Sequence, residues 1–269
     1  MSTHSRPRIG ILGAGGRMGR TLIEAVWAAG DDLQLAAAVE SPQHPELGRD
    51  VADWFAQVPS GVTLAADWSA DAVDVLIDFT RPEATLATLQ QACRSGTAMV
   101  IGTTGFDADG RRALDAASTQ IALCESGNFS LGIHLLQRLV REAAATLGAD
   151  FDIEIVEAHH RHKVDAPSGT ALMLGRAAAA GAQADFETQA VYAREGHTGP
   201  RSRSSLGFAT VRGGDVVGDH TVLFLGDGER LELTHKASSR MNFARGAVRA
   251  ARTLAGKPAG RYQLDDVFK

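Results

Sequence analysis

The chain has 269 residues, of which 29 are glycine and only 6% are aromatic; the glycine share exceeds the ~7% of an average protein. With 44% apolar and 22% charged residues it is long enough to bury a full core and too apolar for wholesale disorder. A net charge of −5 excludes a nucleic-acid binder held by a broad basic surface, yet leaves room for a local basic pocket that takes a small anion. No apolar run reaches the ~18 residues of a transmembrane helix, and residues 1–8 carry no secretory apolar core, so neither membrane nor nucleic acid is expected as a partner. Cys93 and Cys124 lie far apart without metal-ligand spacing and read as small core residues of a reduced, cytoplasmic protein.

In chain order, residues 8–12 form an apolar run ending in glycines, the mark of a buried strand. Residues 21–29 read as a helix with Leu22, Ala25, Val26 and Ala29 on one face. A second apolar run, 33–39, ends at Glu40, and Pro42 and Pro45 then mark a loop. Residues 73–79 are a third strand, after which Pro82 can open a helix; 98–101 are a fourth, closed by Gly102-Thr103-Thr104-Gly105, and 121–124 a fifth. Strands alternating with helical patterns imply a doubly wound parallel sheet covered on both faces.

The pattern changes after about residue 130. Residues 131–147 read as a long helix with Leu135, Leu136, Leu139 and Val140 on its apolar side. Phe151, Ile153 and Ile155 alternate with Asp152 and Glu154, which predicts a strand with one wet face. Strand-like runs at 207–212, 216–225 and 230–235 follow with glycine-rich turns, an open, mixed sheet. A last amphipathic helix runs over 239–254. Two domains are expected, a doubly wound one followed by a mixed-sheet one, and the final helix could pack on either.

Gly13-Ala14-Gly15-Gly16-Arg17-Met18-Gly19 follows the first strand and opens the first helix. A helix start offers free N–H groups and a partial positive charge to an anion, and glycines let backbone approach a pyrophosphate. The strict G-x-G-x-x-G spacing is not met; Gly13, Gly16 and Gly19 give a G-x-x-G-x-x-G variant. Glu40, at the end of the second strand, is placed to bind ribose hydroxyls. A plain strand–turn–helix corner is the bland alternative, but the strand before, the helix after and Glu40 favour a dinucleotide. Arg17 and Arg20 lie in the first turns of that helix, where either could reach phosphate, and Arg20 could equally be a solvated face residue. Asp78-Phe79-Thr80-Arg81-Pro82 and Gly102-Thr103-Thr104-Gly105 fall at the same carboxyl edge, where such sheets bind ligands, although ordinary turns would look alike.

The densest chemistry is Glu157-Ala158-His159-His160-Arg161-His162-Lys163-Val164-Asp165-Ala166-Pro167-Ser168-Gly169-Thr170, between a strand and a helix that starts near Ser168. The free N–H groups of Gly169 and Thr170, with the Ser168 and Thr170 hydroxyls, suit a carboxylate or phosphate. Three readings compete: a zinc site, a solvated basic loop, and an acid/base site. Neither H-E-x-x-H spacing nor a cysteine partner supports metal, and none is expected. The lysine count favours acid/base chemistry. Twenty-three of the twenty-seven basic residues are arginine, and Lys163 is the first lysine in the chain. Arginine does not release a proton in a protein, whereas a lysine in a confined cationic site has its pKa drawn down toward neutrality.

This string closely resembles the signature of the bacterial 4-hydroxy-tetrahydrodipicolinate (dihydrodipicolinate) reductase family. Gly13 to Gly19, Asp78 to Pro82, Gly102 to Phe106, Asn128-Phe129-Ser130, Gly196-His197-Thr198-Gly199, Gly207 to Arg212 and Thr234 to Arg240 resemble the family in the same order, over nearly the whole chain. The resemblance implies an α/β fold, a Rossmann-type doubly wound parallel sheet plus a second α+β domain with a mixed, largely open sheet. It also implies a dinucleotide-binding domain over 1–130, onto which the segment 240–269 packs back, a substrate-binding and oligomerisation domain over 131–239 that builds a homotetramer, and reduction of a cyclic dicarboxylate by NADH or NADPH on the diaminopimelate route to lysine. His159 is then the catalytic acid/base and Lys163 the proton donor, with His160, Ser168, Gly169 and Thr170 on the substrate. Gly13, Ala14, Gly15, Gly16, Arg17, Met18, Glu40, Phe79, Arg81, Gly102, Thr103, Thr104, Ser126, Gly127, Asn128 and Phe129 would bind the dinucleotide.

Two departures matter. Ser41 follows Glu40 where NADPH-using members often carry Arg, so NADH is expected to serve at least as well as NADPH. Ser126-Gly127 replaces the family's usual pair, with little effect expected. Hinges near Phe129-Ser130 and Ser239-Arg240 are expected to close the two domains on substrate. The rival readings are another reductase of this architecture, such as an amino-acid dehydrogenase, and a non-catalytic dinucleotide sensor, which would tolerate loss of Lys163.

Overall fold

The computed structural model describes residues 6–268. Its elements run β1 (Arg8–Leu12), α1 (Arg17–Ala28), β2 (Gln34–Val39), β3 (Leu64–Ala65), β4 (Val75–Asp78), α2 (Pro82–Ser95), β5 (Ala98–Ile101), α3 (Ala108–Ser118) and β6 (Ala122–Glu125). There follow α4 (Leu131–Leu147), β7 (Asp152–His159), α5 (Gly169–Gly181), α6 (Phe186–Gln189), β8 (Ala190–Val191), β9 (Leu206–Arg212), β10 (Gly218–Gly226) and β11 (Glu229–Ala237). The chain ends with α7 (Met241–Leu254), β12 (Gly260–Tyr262) and α8 (Leu264–Val267). It divides into two compact units: one runs up to Phe129 and resumes at Met241, and the other is Ser130–Arg240.

In the first unit the sheet order is β12-β6-β5-β4-β1-β2-β3, and every pairing is parallel. The chain winds outward from β1 to β3, then crosses back to β4, so the direction reverses between β1 and β4. At such a switch point the loops diverge and leave a crevice at the strands' carboxyl ends. Strand parity sorts the core. Ile9, Ile11, Val75, Ile77 and Val100 face α1 and α7, while Leu12, Leu76, Met99 and Ile101 meet Leu89 of α2 and Leu114 of α3. Both faces being covered, β4 is buried throughout, including its last residue, Asp78. The alanine-rich face of α7 (Ala244, Ala247, Ala250, Ala251) lets it lie close to the sheet and α1. Cys124 is buried in this core, which pushes its thiol up to about 12 and leaves it unreactive.

In the second unit the order is β11-β10-β7-β9-β8, with β10 antiparallel to both β11 and β7, and β9 parallel to β7 and β8. The sheet is therefore mixed. α4 and α5 cover one face, burying Ile153, Ile155, Phe208, Val222 and Phe224. One expectation needs correcting. On α4 the buried stripe is Ile133, Leu136, Val140 and Ala144, whereas Leu135 and Leu139 are about half exposed. Each helical residue turns ~100°, and α4 meets the sheet along a single narrow stripe, so adjacent leucines separate into buried and exposed ones. Among the described residues no helix is long and apolar enough to cross a membrane.

Candidate active site

The glycine loop is shaped by close approaches. Gly13 has a φ of +68°, and its carbonyl oxygen accepts from Gly16 N–H at 3.1 Å. A Cβ on Gly19 would overlap the Gly13 carbonyl and come within 2.6 Å of Ala14 Cα, so only glycine lets α1 seat on the loop. Gly15 faces His44 and the Glu40 side chain, which puts the acid beside the loop apex. No side chain caps α1 and no acid sits in its first turn, which leaves its leading N–H groups for an anion. Arg17 is exposed there. Arg20 is engaged elsewhere: its Nε donates to Gly15 O at 3.0 Å, its guanidinium pairs with Glu46 and it lies 4.3 Å over the Trp54 ring. It braces the loop rather than waiting for phosphate.

Asp78 ties the other turns of this edge together. Its Oδ1 accepts from Thr80 N–H at 2.8 Å, from Thr80 Oγ1 at 2.6 Å and from Thr103 Oγ1 at 3.3 Å. Thr80 in turn packs against Gly13, and Gly102 against the Phe79 ring. Ser126 N–H donates to Ile101 O, Gly127 lies beside Thr104, and Ser126 Oγ donates to Asn128 O. The residues expected to hold a dinucleotide thus share one edge. Several offer backbone rather than side chain: Phe129 is fully buried, with its ring 5.7 Å from Phe79, and Met18 leans on the core. Arg81 is exposed at the start of α2. The cradle of Gly13, Gly15 and Gly16 with Glu40 fits a dinucleotide.

In the second unit, β7 carries the chemistry by parity. Its covered face reads Ile153, Ile155, Glu157, His159: two core residues, then a carboxylate, then an imidazole. Pairing sets Thr210 on β9, Glu157, His220 on β10 and His235 on β11 side by side across the sheet. Glu157 is 1% exposed and is fully engaged. Arg212 holds it with two hydrogen bonds of 2.7 and 2.8 Å, His159 Nδ1 lies 2.6 Å from Oε2, and Ser168 N–H donates to Oε1 at 3.0 Å. Burial pushes its carboxyl up, but Arg212, His159 and Ser168 outweigh it and hold it at about 2.

An ionised Glu157 accepts a hydrogen bond from Nδ1–H of His159 and leaves Nε2 as the titrating atom. Burial pushes His159 below the ordinary imidazole value despite Glu157, helped by the charges of Lys163 and Arg212. Gly218 keeps space open at Nε2, where a Cβ would stand 3.1 Å away. Lys163 Nζ pairs with Asp165 at 2.8 Å, and Arg212 also donates to Asp165 O. The loop that reads as basic in sequence is therefore charge-balanced. Of its three histidines only His159 is buried; His160 is half-buried, 6.2 Å from the His162 ring, and His162 is exposed. Ser168 caps α5 by accepting from Ala171 N–H, while Gly169 is exposed and Thr170 half-buried. Among the described residues no group of three His, Cys, Asp or Glu is arranged to hold a metal ion.

Family models described as dihydrodipicolinate reductase, N-terminus, and dihydrodipicolinate reductase, C-terminus, match residues 7–129 and 132–268. The chain belongs to the dihydrodipicolinate reductase family. It is 54% identical to the 4-hydroxy-tetrahydrodipicolinate reductase of Cupriavidus metallidurans, over 97% of this chain and 98% of that one. It is 53% identical to the enzyme of the same name from Acinetobacter baumannii, over 97% and 96%. In fold it is similar to a dipicolinate-bound dihydrodipicolinate reductase from Paenisporosarcina, with a TM-score of 0.71 at 22% identity, covering 96% and 97% of the two chains. As a member of this family it is an oxidoreductase dependent on a pyridine nucleotide.

Motifs alone give no role to four residues of this site, although Thr210 and Arg212 lie in a segment that resembles the family. Arg212, His220 and Thr210 converge on β7 from strands more than fifty residues away, which no local pattern reveals. Alternation along β7 was the available signal, since Glu157 and His159 continue the Ile153 and Ile155 face. His44, beside Gly15 and Glu40, was hidden in a proline-flanked loop.

Proposed function

We propose that this chain reduces dihydrodipicolinate, which 4-hydroxy-tetrahydrodipicolinate gives by loss of water, to tetrahydrodipicolinate on the diaminopimelate route to lysine, with His159 and Lys163 handling the proton. The observation that carries this reading is the Arg212–Glu157–His159 chain, with Lys163 and the open start of α5 on the same loop. Gly13 to Met18, Glu40, Phe79, Arg81, Gly102 to Thr104 and Ser126 to Phe129 would hold the dinucleotide, whose nicotinamide would supply the hydride. Hydride addition to a conjugated imine leaves negative charge that must be quenched by a proton. Lys163 donates it, and His159 Nε2, held by Glu157, accepts and returns protons; such groups are worth about 10²–10⁴-fold. His160, Ser168, Gly169 and Thr170 receive the substrate carboxylates, Ser168 chiefly by fixing the helix start whose N–H groups face the anion. The resemblance also supports a cytoplasmic homotetramer.

The test is NADH oxidation on mixing the protein with the freshly made condensation product of aspartate semialdehyde and pyruvate. Lys163→Ala should abolish turnover while NADH binding stays nearly intact, and normal turnover by that variant would refute the mechanism. Ser41 after Glu40 supports NADH serving at least as well as NADPH, so a strong NADPH preference in kcat/KM would count against that part.

A further inference from the structure

Along β10 the covered face reads His220, Val222, Phe224, and its neighbours Ile153, Ile155, Phe208 and Leu233 are apolar. An imidazole at the end of that row, 3% exposed, is the one to explain. His220 touches both parts of the proposed site. Its Nε2 is 3.0 Å from Ser168 Oγ, the oxygen that caps α5. Its ring meets the His159 ring edge-on, with centroids 5.1 Å apart. Glu157, bonded to both His159 and Ser168, is its register partner. Ser168 is thus fixed at two points, its N–H by Glu157 and its hydroxyl by His220. The neighbouring strand repeats the device, with His235 Nε2 3.3 Å from Ser130 Oγ, the cap of α4. The groups facing His220 are His159, Glu157, His235 and Lys163; burial, with a smaller contribution from His159, holds it down to about 4.

We propose that His220 is a positioning residue: it holds the start of α5 and the His159 ring in register, so that a carboxylate bound at Gly169 and Thr170 presents the substrate to His159. This rests on the reduction proposed above. His220→Leu keeps the volume and removes the bond to Ser168. It should weaken dipicolinate binding and raise KM for the dicarboxylate about tenfold, the effect of one hydrogen bond of ordinary net strength, with NADH affinity unchanged. His220→Gln, whose amide nitrogen can stand in for Nε2, should restore most of that loss. A purely structural imidazole predicts instead that both variants lower Tm and neither changes dicarboxylate affinity, and that result overturns the proposal. Should His220→Leu not fold, the unaltered protein decides by ¹⁵N NMR of its imidazoles. Saturating dipicolinate should shift His220 Nε2, and an unmoved His220 beside a shifted His159 overturns the inference. Failure of the unaltered protein to bind dipicolinate or oxidise NADH would defeat the functional reading and this inference together, whereas normal behaviour of His220→Leu defeats this inference alone.

Discussion

At the carboxyl edge of the parallel sheet, the candidate cradle is made by leaving side chains out: Gly16 and Gly19 bring backbone against backbone, Gly13 and Gly15 make room for the Thr80 and His44 side chains, and α1 starts without a side-chain cap. In the mixed sheet the candidate site is made by putting charged side chains in. One buried carboxylate, Glu157, is neutralised by Arg212 and orients His159. The first design fails when an atom is added, because the loop has no slack. The second fails when a charge is removed, because its partners are already desolvated.

The largest expected effect tests the first design. Gly19→Ala drives a methyl into the Gly13 carbonyl and Ala14, so it should cost more than about 3 kcal/mol and abolish NADH binding. Chemical denaturation with NADH titration checks both, and tight NADH binding by this variant would show the loop to be pliable. Next is Glu157→Gln, which fits the same space but leaves Arg212 uncompensated and frees the His159 tautomer. Turnover should fall by about 10²-fold or more, with NADH affinity kept. An equal loss of NADH binding would erase the contrast between the two units.

The third effect leaves activity aside and is a pH dependence of stability in the mixed sheet. His220 is held at about 4 by burial against an ordinary 6.5, so the unfolded chain takes its proton first. Its contribution is complete above pH 6.5 and is lost as pH falls through 4, amounting to about 3 kcal/mol. His159, displaced the same way, adds to it, while Glu157 contributes only from about 4.5 down to 2. Urea unfolding between pH 7 and pH 4 reads this directly, and His220→Gln should flatten the profile.

Much of this was legible in the chain. Alternating strands and helices announced the doubly wound half, and Gly13 to Gly19 sat where a strand meets a helix. The string from Glu157 to Thr170 marked the proton chemistry. These signals are local, since periodicity, turns and helix starts depend on neighbours within a few residues. The α4 leucines show the limit: Leu135 and Leu136 are equally apolar, and only the sheet beneath the helix decides that Leu136 is buried and Leu135 is not.

The sequence by itself determined the two kinds of sheet and the glycine loop that follows the first strand, and it singled out the string around His159 and Lys163 that is proposed to handle a proton. Only the tertiary structure decided that Arg212 and His220 join Glu157, that Arg20 braces the loop, and that Lys163 pairs with Asp165. Strand register is the physical reason. It brings side chains fifty or more residues apart to hydrogen-bonding distance, and it is set by the packing of whole sheets rather than by any local pattern.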